Sequence, residues 1–235
     1  MEELQVIYED NHLLAINKPA GLLVQGDRTG DVCLADMGKV YLKTKYEKPG
    51  AVFLHPVHRI DRPVSGAVLL ARTDKALGRL TEAFRDKKVQ KIYMALTLAA
   101  PAQPSGRLTH WLIKDEAKNK VKAYEFPRKE AKESVLDFKV IGQRGAWFLL
   151  EIRPLTGRPH QIRTQLAAIG CPIVGDLKYG AKEPLPDASI ALHCRAMVLE
   201  HPVQKIPLRV EAEFPDTEIW KNASTTTNAG RRRKQ

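Results

Sequence analysis

Apolar runs of strand length, cut at short intervals by turn residues, recur along most of this chain. From Leu4 to Lys18 an apolar stretch, a polar break at Glu9-Asp10-Asn11 and a second apolar stretch ending in LLAIN lay out two strands joined by a turn. Ala67–Ala71 (AVLLA) reads as a short buried strand, and Ile92, Met94 and Leu96 alternate with Tyr93, Ala95 and Thr97. Further strands are expected at 108–113, 120–126, 134–141, 146–152, 190–200 and 206–214. Helical spacing is confined to a few places. Leu34, Met37, Val40 and Tyr41 keep it within 33–46, and Thr73 stands as an N-cap before the stripe Leu77, Leu80 and Phe84. A third helix is expected from Pro159, at its first position, to a stop at Gly170, with a short one at 216–221. The pattern is neither regular β-α-β alternation nor pure β. It predicts an α+β fold with a mixed, largely antiparallel sheet flanked by helices.

No repeat and no dividing linker precedes Asn222, and the Gly/Pro-rich stretch 99–106 reads as a surface loop, so residues 1–221 are expected to form one domain. The sequence NASTTTNAGRRRKQ at 222–235 holds no apolar residue larger than Ala, and reads as a basic disordered tail.

Charge narrows the partners. The 235 residues carry 38 Lys and Arg against 27 Asp and Glu, a formal +11. Arg231, Arg232, Arg233 and Lys234 supply four of these charges, so the excess survives without the tail. Such a balance points to a polyanion, either nucleic acid or an anionic membrane surface. No apolar run approaches the ~20 residues of a bilayer span, and MEELQVIYED lacks the layout of a signal peptide, so a cytoplasmic chain without membrane contact is expected. Cys33, Cys171 and Cys194 are scattered, odd in number and form no C-x-x-C pair, which encodes neither a disulfide framework nor a thiolate zinc site.

Two polar clusters carry the candidate chemistry. His55-Pro56-Val57-His58-Arg59-Ile60-Asp61-Arg62-Pro63-Val64-Ser65-Gly66 lies directly before an apolar strand, where loops on a rigid scaffold tend to carry function. Asp61 between two arginines would stay ionised, which suits a nucleophile or charge stabiliser better than a general acid. A structural ion pair with a Pro-Ser-Gly turn explains this segment about as well. The second cluster, Thr156-Gly157-Arg158-Pro159-His160-Gln161-Ile162-Arg163, sets a turn and two cations at a helix start, where free N–H groups favour an anion. Its bland alternative is a solvated helix end. Neither G-x-G-x-x-G after a strand nor G-x-x-x-x-G-K-[ST] occurs, and Ser65 lacks a G-x-S-x-G elbow. His55, His58 and Asp61 could mimic a metal site, but Pro56 and Pro63 oppose a helix presenting them together, and the arginines repel a cation.

Together these clusters resemble the signature of RNA pseudouridine synthases of the RluA type. HRIDRPVSG at 58–66 is similar to that family's H-R-[LI]-D-x-x-[TV]-S-G motif, Asn17-Lys18-Pro19-Ala20-Gly21 with Val24 to K-P-x-G-x-x-V, and Lys91-Ile92-Tyr93-Met94-Ala95 to K-x-Y-x-A. TGRPHQIR at 156–163 is similar to T-G-R-x-H-Q-I-R, and Gly170–Gly180 to G-x-P-I-x-G-D-x-x-Y-G. Leu192-His193 and His201-Pro202 match the closing elements, so the likeness spans about residues 6–214. Two departures stand out. The usual His-Leu pair after HQIR is replaced by Thr164-Gln165-Leu166, and Lys18-Pro19 comes too early for an S4 domain ahead of it.

The resemblance implies a pseudouridine-synthase-like fold and an isomerase that breaks N1–C1′ of a uridine, turns the base and rejoins it through C5. It needs no cofactor and no metal. Asp61 becomes the catalyst, as nucleophile or as base at the sugar, with Arg163 paired to it and Tyr93 packed on the target base. Ile162 and Leu192 become apolar walls. Arg59 and Arg62 are placed to fill the gap left by an extruded uridine or to grip phosphate, and Lys18 to contact the phosphate backbone or support the pocket. The implied partner is RNA, either rRNA or tRNA, with no obligate protein partner. The rivals are a non-catalytic RNA-binding module, which would lack the Asp or its Arg, and a metal-dependent nuclease, which EDTA would stop.

Overall fold

A computed structural model of the protein describes residues 4–221. Their backbone gathers into two compact units, one of residues up to Lys91 together with Cys194–Glu213, the other of Ile92–His193 together with residues from Phe214 on.

The first unit is built on four strands in the order β1 (Val6–Glu9), β2 (Leu13–Lys18), β4 (Ser65–Ala71) and β10 (Leu192–Glu200, here from Cys194 on). The two-residue β3 (His55–Pro56) pairs with β4, and β11 (Pro207–Glu211) pairs with β10. β2 and β4 are buried along their whole length, which is why LLAIN and AVLLA read as unbroken apolar runs and not as alternation. Each fully buried Leu or Ile there stabilises the fold by roughly 1.5–3 kcal/mol. The β1–β2 turn is fixed by Asp10, whose Oδ1 accepts the N–H groups of His12 and Leu13, both at 2.7 Å. Helix α1 (Leu34–Lys45) buries Leu34, Gly38 and Leu42. Helix α2 (Asp74–Arg85) begins as expected at Thr73, whose hydroxyl accepts from Ala76 N–H, and buries Ala76 and Leu80.

The second unit is a run of antiparallel pairs in the order β5 (Gln90–Thr97, here from Ile92), β9 (Trp147–Pro154), β8 (Lys132–Arg144), β6 (Ser105–Asp115) and β7 (Lys120–Tyr124). Helix α3 (Gln161–Ala168) packs on β6 and β7, and a single 3-10 turn follows at Leu177–Tyr179.

The expected α+β mix of short antiparallel strands and few helices is the one found. Two local expectations fail. Helix α3 starts at Gln161 and not at Pro159, because His160 takes the left-handed conformation (φ 50°) that interrupts helical geometry. Residues 216–221 form turns, not a helix. A single turn is too short to pay the nucleation cost, and Trp220 is held instead by stacking on Phe214, 5.0 Å between ring centres. The sequence 222–235, expected to be a basic tail, lies outside the described residues. Among the described residues no helix is long and apolar enough to cross a membrane.

Candidate active site

In the first unit the register of β2 on β4 sets the site. Lys18 lies opposite Gly66, so the loop that leaves β2 and the loop that enters β4 emerge at the same end of the pair. Main chain and side chain then join them: Gly21 N–H donates to the Arg62 carbonyl at 2.8 Å, and the Arg62 side chain donates back through Nε to the Gly21 carbonyl at 2.8 Å. Asp61 opens a β-turn closed by Val64 N–H on its carbonyl, 3.0 Å, and its side chain is half-buried.

Lys18 has no exposed surface. Its Nζ donates to the carbonyls of Pro19 (2.8 Å), Leu22 (2.7 Å) and Arg62 (3.2 Å), so all three ammonium protons are engaged by the two loops. Burial pushes this ammonium down to about 7, opposed by the Asp61 carboxylate and furthered by Arg62. An ammonium enclosed in this way ties the two loops together. Arg59 and Arg62 are the exposed cations of the loop, and Arg62 also meets Asp31 at 2.9 Å. His58 turns inward: its Nε2 accepts Leu69 N–H at 3.0 Å and its ring stacks on Phe84 at 5.1 Å. A nitrogen used this way offers no lone pair to a metal, which removes the constellation His55, His58 and Asp61 as a metal site.

In the second unit Tyr93 lies across from Ile152, near the end of the strand that runs into the Thr156–Arg163 loop. Tyr93, Ile162 and Leu192 are all buried, with 8%, 7% and 3% of their surface exposed. Arg163 is buried as well and meets Asp176 through two parallel bonds, Nε to Oδ2 at 2.7 Å and Nη2 to Oδ1 at 2.9 Å. Its guanidinium also lies 5.0 Å from the centre of the Tyr179 ring. The Tyr179 hydroxyl accepts Val121 N–H at 2.9 Å and sits 2.7 Å from His160 Nδ1. Arginine, carboxylate, phenol and imidazole thus form one network around the start of α3.

The profile described as RNA pseudouridylate synthase matches residues 12–168. The chain belongs to that family. Among its relatives, a ribosomal large subunit pseudouridine synthase C of Rickettsia felis is 35% identical over 212 residues, covering 89% of this chain and 67% of that one. The mitochondrial pseudouridylate synthase RPUSD4 of Xenopus tropicalis is 30% identical over 252 residues, covering 91% and 78%. The solved structure of human RNA pseudouridylate synthase domain containing 4 superimposes with a TM-score of 0.75 at 26% identity, covering 90% of this chain and 89% of that one. The chain is an RNA pseudouridine synthase, an isomerase.

For this pseudouridine synthase the structure also supplies residues to which the sequence reading gave no role. Asp176 and Tyr179 stand in a stretch that matched the family by pattern alone; the missed signal was that a buried arginine needs a carboxylate. Gly66 has φ +117°, and a Cβ there would lie 2.3 Å from the Cys194 carbonyl oxygen, so the Ser-Gly of the motif seats β4 against β10. His201 closes the β1–β2 turn: its Nε2 lies 2.8 Å from Asp10 Oδ2, while its Nδ1 accepts the N–H groups of Val203 and Gln204. Gln165 donates Nε2 to the carbonyls of Leu108 (3.2 Å) and Ser134 (3.1 Å), tying α3 to β6 and β8.

Proposed function

We propose that Asp61 is the catalytic carboxylate and that the substrate is ribosomal RNA of the large subunit. The placement of Asp61 carries this reading: it opens a turn joined to the Lys18–Gly21 loop by the bond from Gly21 N–H to the Arg62 carbonyl, which the buried Lys18 ammonium also meets. The name of the Rickettsia felis relative supports the RNA class. From the family motifs we infer that Arg163 pairs with Asp61, that Tyr93 packs on the extruded uracil, and that Ile162 and Leu192 wall the pocket. Arg59 and Arg62 take the gap in the RNA or its phosphates, and Lys18 supports the loop. Asp61 acts at the sugar while N1–C1′ breaks; the base turns and rejoins through C5, releasing the C5 hydrogen. No electron or energy input is required.

Release of tritium from a large-subunit rRNA transcript labelled at uridine C5 tests both parts. Asp61→Ala is expected to abolish release while leaving RNA affinity largely intact, and release that persists removes Asp61 from its role. Release from tRNA transcripts but not from rRNA would move the substrate class, and loss of activity in EDTA would point to metal chemistry instead.

A further inference from the structure

We propose that the outer face of β6 and β7, with the loop that follows β7, is a second RNA-binding surface that stacks unpaired nucleotides of the substrate away from the target uridine. The proposal rests on this chain acting on RNA, and it does not depend on the role of Asp61.

Strand alternation separates the two faces of this part of the sheet. His110, Leu112, Val121, Ser134 and Leu136 are buried toward α3, whose Gln165 Nε2 lies 3.2 Å from His110 Nδ1. The opposite face carries Trp111 directly across from Tyr124, and Ile113 across from Lys122. Arg128 lays its guanidinium 4.2 Å from the centre of the Tyr124 ring. Phe126, two residues on from Tyr124, is 74% exposed, the largest exposure of any big apolar side chain among the described residues. Folding gains almost nothing from a ring in that position.

The setting selects the partner. Between 118 and 132 the chain holds Lys118, Lys120, Lys122, Arg128, Lys129 and Lys132 against only Glu125 and Glu130. Aromatic rings interleaved with cations suit a polyanion with flat faces, because every base offers a π-surface whatever its identity. The strip also joins the candidate site of its own unit. Lys120 Nζ lies 5.7 Å from the centre of the Tyr179 ring, which carries Arg163 as well. RNA running along β7 therefore begins beside the network at the start of α3. Such a surface raises affinity without choosing the uridine.

Steady-state tritium release and ultraviolet cross-linking test the proposal. Phe126→Ala is expected to raise KM for the rRNA transcript about tenfold with kcat unchanged, and Phe126→Tyr, which keeps a ring, to restore it. Arg128→Ala should also lower the salt dependence of RNA binding by about one unit of slope. A single-stranded RNA oligomer carrying 5-bromouridine should cross-link within residues 111–128. An unchanged KM in Phe126→Ala, a loss confined to kcat, or cross-links only elsewhere overturns the proposal. Wild-type protein that binds and cross-links RNA there but releases no tritium from rRNA would leave this surface standing and sink the rRNA reading instead.

Discussion

In the first unit the loop bearing Asp61 is held through its main-chain groups, with Gly21 N–H on the Arg62 carbonyl, Val64 N–H on the Asp61 carbonyl and Lys18 spreading its protons over three carbonyls. In the second, Arg163 is held by side chains, with a bidentate carboxylate on one side and the Tyr179 ring on another. The two arrangements fail differently. A backbone-held loop keeps its path when a surface side chain changes and loses it when a backbone group is orphaned or crowded. A buried ion pair depends on the side chain of its partner and loses both bonds at once when that carboxylate goes.

The largest effect is therefore expected at Asp176. Asp176→Asn takes the bidentate carboxylate from an arginine that is 5% exposed, and should cost about 3–5 kcal/mol in urea unfolding. A loss below about 1 kcal/mol, the scale of an exposed pair, would show that Arg163 does not rely on this carboxylate. Next comes Gly66→Ala in the first unit. A methyl forced to within 2.3 Å of the Cys194 carbonyl, at φ +117°, should cost about 3 kcal/mol in strain and displacement. Wild-type stability in that variant would mean that β4 and β10 do not need their close approach.

Lys18→Met probes the main-chain side of the comparison more gently. It leaves carbonyls of Pro19, Leu22 and Arg62 without the ammonium, for a loss of about 2 kcal/mol, and should leave the salt slope of RNA binding unchanged. Arg59→Ala should do the reverse, lowering the slope by about one with little change in stability. A fall in the slope for Lys18→Met would return that residue to the phosphate backbone.

Much of this was legible in the sequence where one local rule decides the outcome. Thr73 capped its helix because a hydroxyl before an apolar stripe has an orphan N–H to accept, and the AVLLA run of β4 read as buried because nothing polar interrupts it. What stayed hidden depends on which partners the folded backbone brings to a side chain. The start of α3 was misplaced because the local preference of Pro159 yields to the Gln161 side chain, which accepts from Thr156 Oγ1 at 2.7 Å and Arg158 N–H at 3.1 Å. Lys18 read equally well as a phosphate contact, since composition says nothing about which carbonyls surround an ammonium.

The smallest effect at neutral pH belongs to His58, and it sharpens the comparison by showing a titratable group whose hydrogen bond comes from main chain. Leu69 N–H donates to Nε2, so the ring must present a lone pair and stay neutral in the native state. Burial, helped by the charge of Lys91, holds its pKa down to about 3, against an ordinary histidine value near 6.5. Below about pH 6.5 the unfolded chain takes up a proton that the native site refuses, so stability falls as the pH drops toward about 3, by at most about 1.4 kcal/mol per pH unit for one proton. His58→Gln keeps an acceptor and removes the titration. The variant should match or fall slightly below wild type at pH 7, and the gap should close or reverse by pH 4.5 in urea unfolding. Parallel pH curves for the two proteins would mean that the native ring accepts the proton, and that the bond from Leu69 does not fix its state.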